Sequence, residues 1–460
     1  MRKQKSDVVV HFIGIGGIGM SAIAEILIQL GFTVQGSDLN ESPNVVKLRG
    51  LGAKVFIGHQ PANIENATVV THSSAVNVEN PEYLAALDKG LPLLRRAQIL
   101  TDIMNLKKGI AIAGTHGKTT TTSLMATLLK EIGADPTYII GGIVHNLGGH
   151  ANVGNGEYIV AEADESDGSF LSLNPVASVI TNIDNDHIDH YGSEEGLVIA
   201  FHQFANKIPF FGVCALNFED SRLRDIAEVM DKPYVSFSAH IDHQDVDYYA
   251  SEIEQSPEGV TFNLAVYGEN KGKFNLKVPG RHNVLNTLGA LALCMELGYE
   301  AEELKLALNK YEGVGRRFQK VLSKGDFEVV DDYGHHPTEI LETIKTAKEA
   351  HKDKEIIVVF EPHRYTRTKT CWSEFLHCFN SADKVLIAPI YPASEEAIVG
   401  INSENLSNDI NQLHPNLTES FESWDRVKEV INSVKDTKAL VLSLGAGSVG
   451  KKVKEIVTSL

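Results

Sequence analysis

The sequence predicts an α/β protein of three sections, each a mostly parallel sheet covered by helices. Three observations carry this. Short apolar runs alternate with helical patterns along nearly the whole chain, the order that parallel layers require. Two of those runs, "VVVHFIGIGGIG" and "GIAIAGTHGKTT", break into glycine turns just before a helical pattern, as nucleotide-binding units do. The 460 residues are too many for one core, since a domain takes about 100–200.

The elements follow in order. "DVVVHFIGIG" reads as a strand entering a turn, and "SAIAEILIQLG" as a helix stopped at Gly31. Strands "TVQGSD" and "ATVVTHSSA" come next. "NPEYLAALDKG" is a helix with Asn80 as cap, Pro81 in its first turn and Gly90 at its end, each residue suited to its place. This section spans 1–106. The second, 107–314, begins with strand "GIAIAG" and helix "KTTTTSLMATLLKEIG", followed by strands "EYIVAEAD" and "ASVITNIDNDH". Residues 217–280 are more strand-like, and helices "NVLNTLGALALCMELG" and "AEELKLALNKY" close the section. Glycine and the arginine pair at 313–317 mark a hinge. The third, 315–460, holds strand "FEVVDDYGHHP", helix "TEILETIKTAKEAH", strand "EIIVVFEPHR", helix "TCWSEFLHCFN" and strands "KVLIAPI" and "ALVLSLGAGSVG".

A formal charge of -18 argues against a broad nucleic-acid surface, which needs clustered Lys and Arg. Local basic pockets still suit anionic metabolites. Cys214, Cys294, Cys371 and Cys378 form no C-x-x-C pair and read as reduced thiols. The apolar run at the start is too short for a signal peptide. No stretch approaches the roughly 20 apolar residues of a membrane span. The expectation is a cytoplasmic protein with no membrane insertion.

Gly114, Thr115, His116, Gly117, Lys118 and Thr119 stand between a strand and a helix. Successive backbone N–H groups there face phosphates, Lys118 reaches the β/γ-phosphates and Thr119 holds Mg²⁺. Ile112 stands where the longer G-x-x-x-x-G-K-[ST] form has glycine, so the loop is a shortened one. A metal shell needs carboxylates as well. "VAEADESDGSF" offers Glu162, Asp164, Glu165 and Asp167, with Glu162 and Asp164 on one face by strand alternation. "TNIDNDHIDHY" offers Asp184, Asp186, His187, Asp189 and His190. "GIGGIG", Gly14 to Gly19, with Asp38 ending the next strand, alone favours NAD. A nucleotide sugar also presents a pyrophosphate, so both readings stay open there. Arg316 and Arg317 at the hinge, and Arg364 and Arg367 in "EPHRYTRT", suit carboxylate or phosphate. "DDYGHHP" places Asp331, Asp332, His335 and His336 at another strand end. "GAGSVGKK" mimics a phosphate loop, but Lys451 stands where Ser or Thr is needed, and it reads as a structural turn.

Together these stretches resemble the Mur ligases over nearly the whole chain, on "HFIGIGGIGMSAIAEIL", "AGTHGKTTTT", "AEADESDGSFL", "PGRHNVLN", "GVGRRFQ", "DDYGHHPTEI" and "PHRYTRT". The resemblance implies a Rossmann-like N-terminal UDP-binding domain, a central P-loop ATPase domain and a Rossmann-like C-terminal domain. It implies ATP with Mg²⁺, for which Mn²⁺ can substitute. It implies UDP-N-acetylmuramate and L-alanine as substrates, and a monomer or homodimer. A ligase adding a tripeptide in cell-wall recycling is the rival within the family; an NAD-dependent oxidoreductase is the rival outside it. By carry-over, Gly14, Ile15, Gly16, Gly17, Gly19, Asp38, Ser73 and Arg96 meet the UDP-sugar. Gly114 to Thr120, Asn283, Arg317 and Asp332 meet ATP. Thr119, Glu162 and His187 are the metal residues. Lys118, His187, His335, Arg364 and Arg367 are the catalytic set, with the two arginines on the amino-acid carboxylate. Two departures stand out. Glu361 replaces the family's usual Gln before "PHRYTRT", adding a negative charge near those arginines. A carbamoylated lysine of related ligases has no secure counterpart; Lys207 is the nearest.

Overall fold

The computed structural model describes residues 4–73, 76–243 and 245–459. It contains three sheets, and the chain divides into two compact units. The first unit comprises Met1–Ser251, Asn263–Gly272 and Leu285–Tyr311; the second comprises Glu252–Phe262, Lys273–Val284 and Glu312–Leu460.

In the first unit, strands β1 (Val9–Ile13), β2 (Thr33–Asp38), β3 (Lys54–Ile57), β4 (Val69–His72) and β5 (Leu93–Arg95) form a parallel sheet in the order β3-β2-β1-β4-β5. The order reverses at β1, so the loop after β1 opens where ligands enter such sheets. Helix Ile18–Gln29 is buried from Met20 to Leu27. It packs on the first sheet and also on strands of the next, with Ile23 and Ile26 sharing a core with Ile139 and Ala151. A helix apolar on all sides requires this double cover.

The second sheet is built from β6 (Lys108–Ala113), β7 (Thr137–Val144), β8 (Gly149–Asn152), β9 (Tyr158–Glu162), β10 (Ala177–Ile180), β11 (Val213–Asn217) and β12 (Tyr234–Ser238). It continues through β13 (Tyr248–Ser256), β14 (Gly259–Val266) and β15 (Glu269–Leu276), strands whose residues divide between the units. β6 lies between β10 and β9, parallel to both. The loops after β6, β9 and β10 therefore emerge side by side at one sheet end. "THGKTT", "ADESDG" and "NIDNDH" are those loops, so segments distant in sequence meet there.

The third sheet, in the second unit, runs β16-β17-β21-β18-β19-β20, with β16 (Gln319–Lys324), β17 (Phe327–Asp332), β18 (Glu355–Phe360), β19 (Lys384–Ile387), β20 (Thr418–Ser420) and β21 (Ala439–Leu444). Only the β16–β17 pair is antiparallel. Alternation along β18 sends Ile356, Val358 and Phe360 to one core and Ile357 and Val359 to the other. Both faces are covered, which is why the strands read as unbroken apolar runs. "TCWSEFLHCFN" is not one helix. The chain turns helical earlier, at Tyr365–Thr370, and again at Trp372–Phe375.

Candidate active site

The first glycine loop is tied to β2. Gly14 and Ile15 donate backbone N–H to the Ser37 carbonyl at 2.8 and 2.9 Å, and Gly16 N–H donates to Asp38 Oδ2 at 2.9 Å. A Cβ on Gly16 would lie 2.8 Å from that oxygen, so glycine is required for the close approach. Beneath the loop, Glu82 is fully buried and accepts from the Ser37 and Asn63 side chains and from Gln60 N–H. Burial would raise its carboxyl, but hydrogen bonds from His11, Ser37 and Asn63 hold it down to about 2. Ser73 follows β4, and its carbonyl lies 3.1 Å from His72 Nδ1. The guanidinium of Arg96 pairs with Asp164 at 2.8 Å and lies against Gly19, where a Cβ would meet Nη1 at 2.6 Å.

The second loop opens helix Lys118–Glu131. Gly114 (φ 125°) and Gly117 (φ 85°) adopt backbone that L side chains avoid. Lys118 Nζ folds back, donating to the carbonyls of Gly114 (2.6 Å) and Thr115 (3.0 Å) and to Glu165 (2.8 Å). Burial would lower its pKa, but Glu165, Asp164 and Glu162 outweigh that and raise it. Burial pushes Glu165 up, against the pull of Lys118. Asp164 is held at about 2, because Lys118 and Arg96 overcome its burial. His116 N–H donates to Asn182 Oδ1 at 2.9 Å, and its carbonyl accepts from Thr181 Oγ1 and Asn182 Nδ2. Its ring approaches Asp184 at 2.9 Å. Thr119 and Thr120 follow Lys118 in the first helical turn.

Glu162 ends β9 and accepts Gly141 N–H at 2.6 Å. Asp164 lies past the strand end and turns to Arg96, so the two acids do not share a strand face as alternation predicts. His187 has a left-handed backbone (φ 60°) and sits 3.6 Å from Asp186. The side chain of Asp189 lies outside the described residues. Lys207 is exposed beyond helix Glu194–Ala205.

In the second unit, the strand ends carry the charged groups. Arg316 donates to the Gly445 carbonyl at 2.5 Å and lies 4.9 Å from the Tyr333 ring centroid. Arg317 lies 5.2 Å from the same centroid and 3.7 Å from Glu339. Asp332 accepts Phe318 and Gly334 N–H, both at 2.7 Å. Burial raises its carboxyl to about 6 against the pull of Arg317. His335 Nδ1 lies 3.1 Å from the Tyr333 carbonyl. A carbonyl only accepts, so Nδ1 carries the proton and Nε2 keeps its lone pair. Burial lowers His335 to about 4, leaving it neutral at pH 7. Asn283 is buried and donates to the Pro279 carbonyl at 2.7 Å. Arg364 has a strained left-handed backbone (φ 73°). It pairs with Glu395 at 3.1 Å and is exposed. Arg367 lies one helical turn on, half-buried. His363, just before Arg364, stacks on Tyr391, with ring centroids 5.4 Å apart.

Glu339, Tyr333 and Tyr391 are absent from the residues singled out in sequence, while Glu165 stood among the candidate carboxylates. Glu339 had a signal, being third in the Pro337-led helix, where a glutamate caps. The others become visible only through their contacts.

Three family models match in succession: "Mur ligase family, catalytic domain" over residues 9–108, "Mur ligase middle domain" over 112–294, and "Mur ligase, glutamate ligase domain" over 316–447. The chain belongs to the Mur ligase family. Curated Mur ligases similar to it include the UDP-N-acetylmuramate–L-alanine ligase of Oleidesulfovibrio alaskensis, 44% identical over 96% of each chain. Another is that of Geotalea daltonii, 42% identical over 98% of each. Among solved structures, the UDP-N-acetylmuramate–alanine ligase of Thermotoga maritima matches with TM-score 0.83 at 30% identity, covering 98% of both chains. A murein peptide ligase of Psychrobacter arcticus matches with TM-score 0.72 at 25% identity over the same share. No helix among the described residues is long and apolar enough to cross a membrane.

Proposed function

We propose that this Mur ligase joins L-alanine to the lactyl carboxylate of UDP-N-acetylmuramate, driven by ATP and forming ADP and phosphate, in the synthesis of peptidoglycan precursors. The observation that carries the proposal is end-to-end similarity to ligases of that name, at 44% identity over 96% of both chains. The Psychrobacter murein peptide ligase is less similar, at 25% identity, which ranks the recycling reaction second. A nicotinamide-linked oxidation would leave the Lys118 loop without a role.

A carboxylate is a poor acyl donor because oxide would have to leave. Its oxygen attacks the γ-phosphorus of ATP, and ADP departs. The amine nitrogen then attacks the acyl-phosphate carbon, and phosphate leaves the tetrahedral intermediate. Catalysis of this kind rests on positioning and charge neutralisation. Lys118 exchanges Glu165 for phosphate oxygens, and the backbone N–H groups of Gly114 to Thr119 cradle the phosphates. Glu162, Asp164 and Glu165 set three carboxylates against the two cations Lys118 and Arg96, a surplus of negative charge that suits a divalent cation held with Thr119 and His187. When bound, Mg²⁺ offsets the charge of the transferring phosphoryl group. Asn283, Arg317 and Asp332 are the proposed nucleotide contacts in the second unit. Arg364 and Arg367 grip the alanine carboxylate, and His335 Nε2 takes a proton from the attacking amine. Gly14 to Gly17, Gly19, Asp38, Ser73 and Arg96 receive the UDP-sugar. We assign the three functions to residues 1–106, 107–314 and 315–460, in a monomer or homodimer.

The test is phosphate release from ATP with UDP-N-acetylmuramate, with and without L-alanine, and with the recycling tripeptide in its place. Release that does not require both the nucleotide sugar and alanine removes the assignment. Release supported by the tripeptide rather than by alanine favours the recycling reaction.

A further inference from the structure

Glu361 and the glycine loop after β21 meet in the structure. Glu361 follows β18, is 4% exposed and donates its N–H to the Leu444 carbonyl. Its Oε2 accepts the backbone N–H of Ser448 at 2.5 Å and of Val449 at 3.1 Å, and its Oε1 accepts from Ser448 Oγ at 2.7 Å. Ser448 and Val449 open helix Val449–Thr458. The carboxylate thus fills the place where such a loop holds phosphate. The loop is fitted to it: a Cβ on Gly447 would lie 2.3 Å from Glu361 Oε2 and 2.8 Å from the Tyr391 ring.

The seated loop supports two groups of cations. On one side, the carbonyl of Gly445 accepts from Arg316, whose guanidinium lies over the Tyr333 ring, as does that of Arg317. On the other, Gly447 abuts Tyr391. Tyr391 stacks on His363, and its carbonyl accepts Arg364 N–H at 2.8 Å. We infer that Glu361 is a positioning residue, a buried hydrogen-bonding side chain that fixes loop 445–449 and through it the placement of the Arg316–Arg317 and Arg364–Arg367 pairs.

The contacts also define which substitution preserves the role. Glutamine satisfies the same set: one oxygen accepts both N–H groups, and the amide donates to Ser448 Oγ. Alanine satisfies none of it and leaves buried donors unpaired.

The inference rests on the alanine-ligase reading, and the experiment separates the two. KM and kcat are measured for wild type, Glu361→Gln, Glu361→Ala and Gly447→Ala, varying alanine and ATP in turn. Hydrogen exchange is followed in peptides covering 312–320, 388–394 and 445–450. Glu361→Gln should stay within about twofold of wild type, while Glu361→Ala should raise the alanine KM about tenfold or more. Gly447→Ala keeps the carboxylate but displaces it, and should reproduce the KM rise even if Glu361→Ala fails to fold. An unchanged alanine KM in both alanine variants overturns the inference, as does Glu361→Gln behaving like Glu361→Ala. If wild type shows no alanine-dependent release, the functional reading fails and exchange decides alone. Faster exchange in all three peptides of the alanine variants supports positioning; faster exchange confined to 445–450 overturns it.

Discussion

Asp332 offers a prediction whose size follows from its surroundings. Its carboxyl is 7% exposed. Burial lifts its pKa from 3.8 to about 6, although Arg317 and two backbone N–H groups pull the other way. Between those pH values the folded chain holds a proton that the unfolded chain has released. Stability from this group is therefore full below pH 3.8 and is lost as pH rises through about 6, by about 3 kcal/mol. Asp332→Asn cannot titrate. The stability difference, wild type minus variant, should fall by about 2 kcal/mol between pH 4 and pH 7, while contributions common to both chains cancel. The assay is urea unfolding followed by tryptophan fluorescence. The chain has two tryptophans, Trp372 and Trp424, and both lie in the second unit with Asp332. The signal therefore follows that unit alone. A difference constant across this pH range would refute the claim that Asp332 is buried as a costly carboxylate.

Other perturbations have equally definite outcomes. Lys118→Ala should abolish phosphate release, and turnover within about tenfold of wild type would remove Lys118 from the phosphate site. Gly117→Ala forces an L residue to φ 85° and sets a Cβ 2.4 Å from Asn286 Oδ1; the ATP KM should rise at least about tenfold, with a lower melting temperature. Arg364→Ala should raise the alanine KM while sparing the ATP KM, and an unchanged alanine KM in steady-state kinetics removes it from the amino-acid site. His335 and His282 are both held near 4, chiefly by burial. Their stability is present above pH 6.5 and lost as pH falls towards 4. Replacing both with Gln should reduce the loss of stability between pH 7 and pH 4, read by the tryptophan-detected transition, by about 6 kcal/mol, since each imidazole falls from 6.5 to about 4.

Much of the fold was legible because each strand–turn–helix unit writes its own local signals. The Lys118 helix begins where glycine and lysine predict, and Asn80 caps Glu82 and Tyr83 as its side chain dictates. The strands of the third sheet read as strands because both their faces are apolar. The break at Cys371 was not legible, since "RYTRTKTCWSEF" contains no glycine or proline to mark it. Asp164 was misplaced on a strand face because alternation says nothing about where a strand ends.

By itself the sequence determined the α/β class, the three successive sheets and the glycine loops, because propensity, periodicity and positive-φ demand act over a few residues. Only the tertiary structure decided which charges meet. β6 lies between β9 and β10, and that order brings Lys118 to Glu165 across 47 residues of chain. β21 lies between β17 and β18, and so Glu361 reaches Ser448 across 87. Strand order depends on how all the apolar faces pack at once, and no local stretch carries that information. Glu361 read in sequence only as an added negative charge near the arginine pair; in the fold, a helix N-terminus holds it.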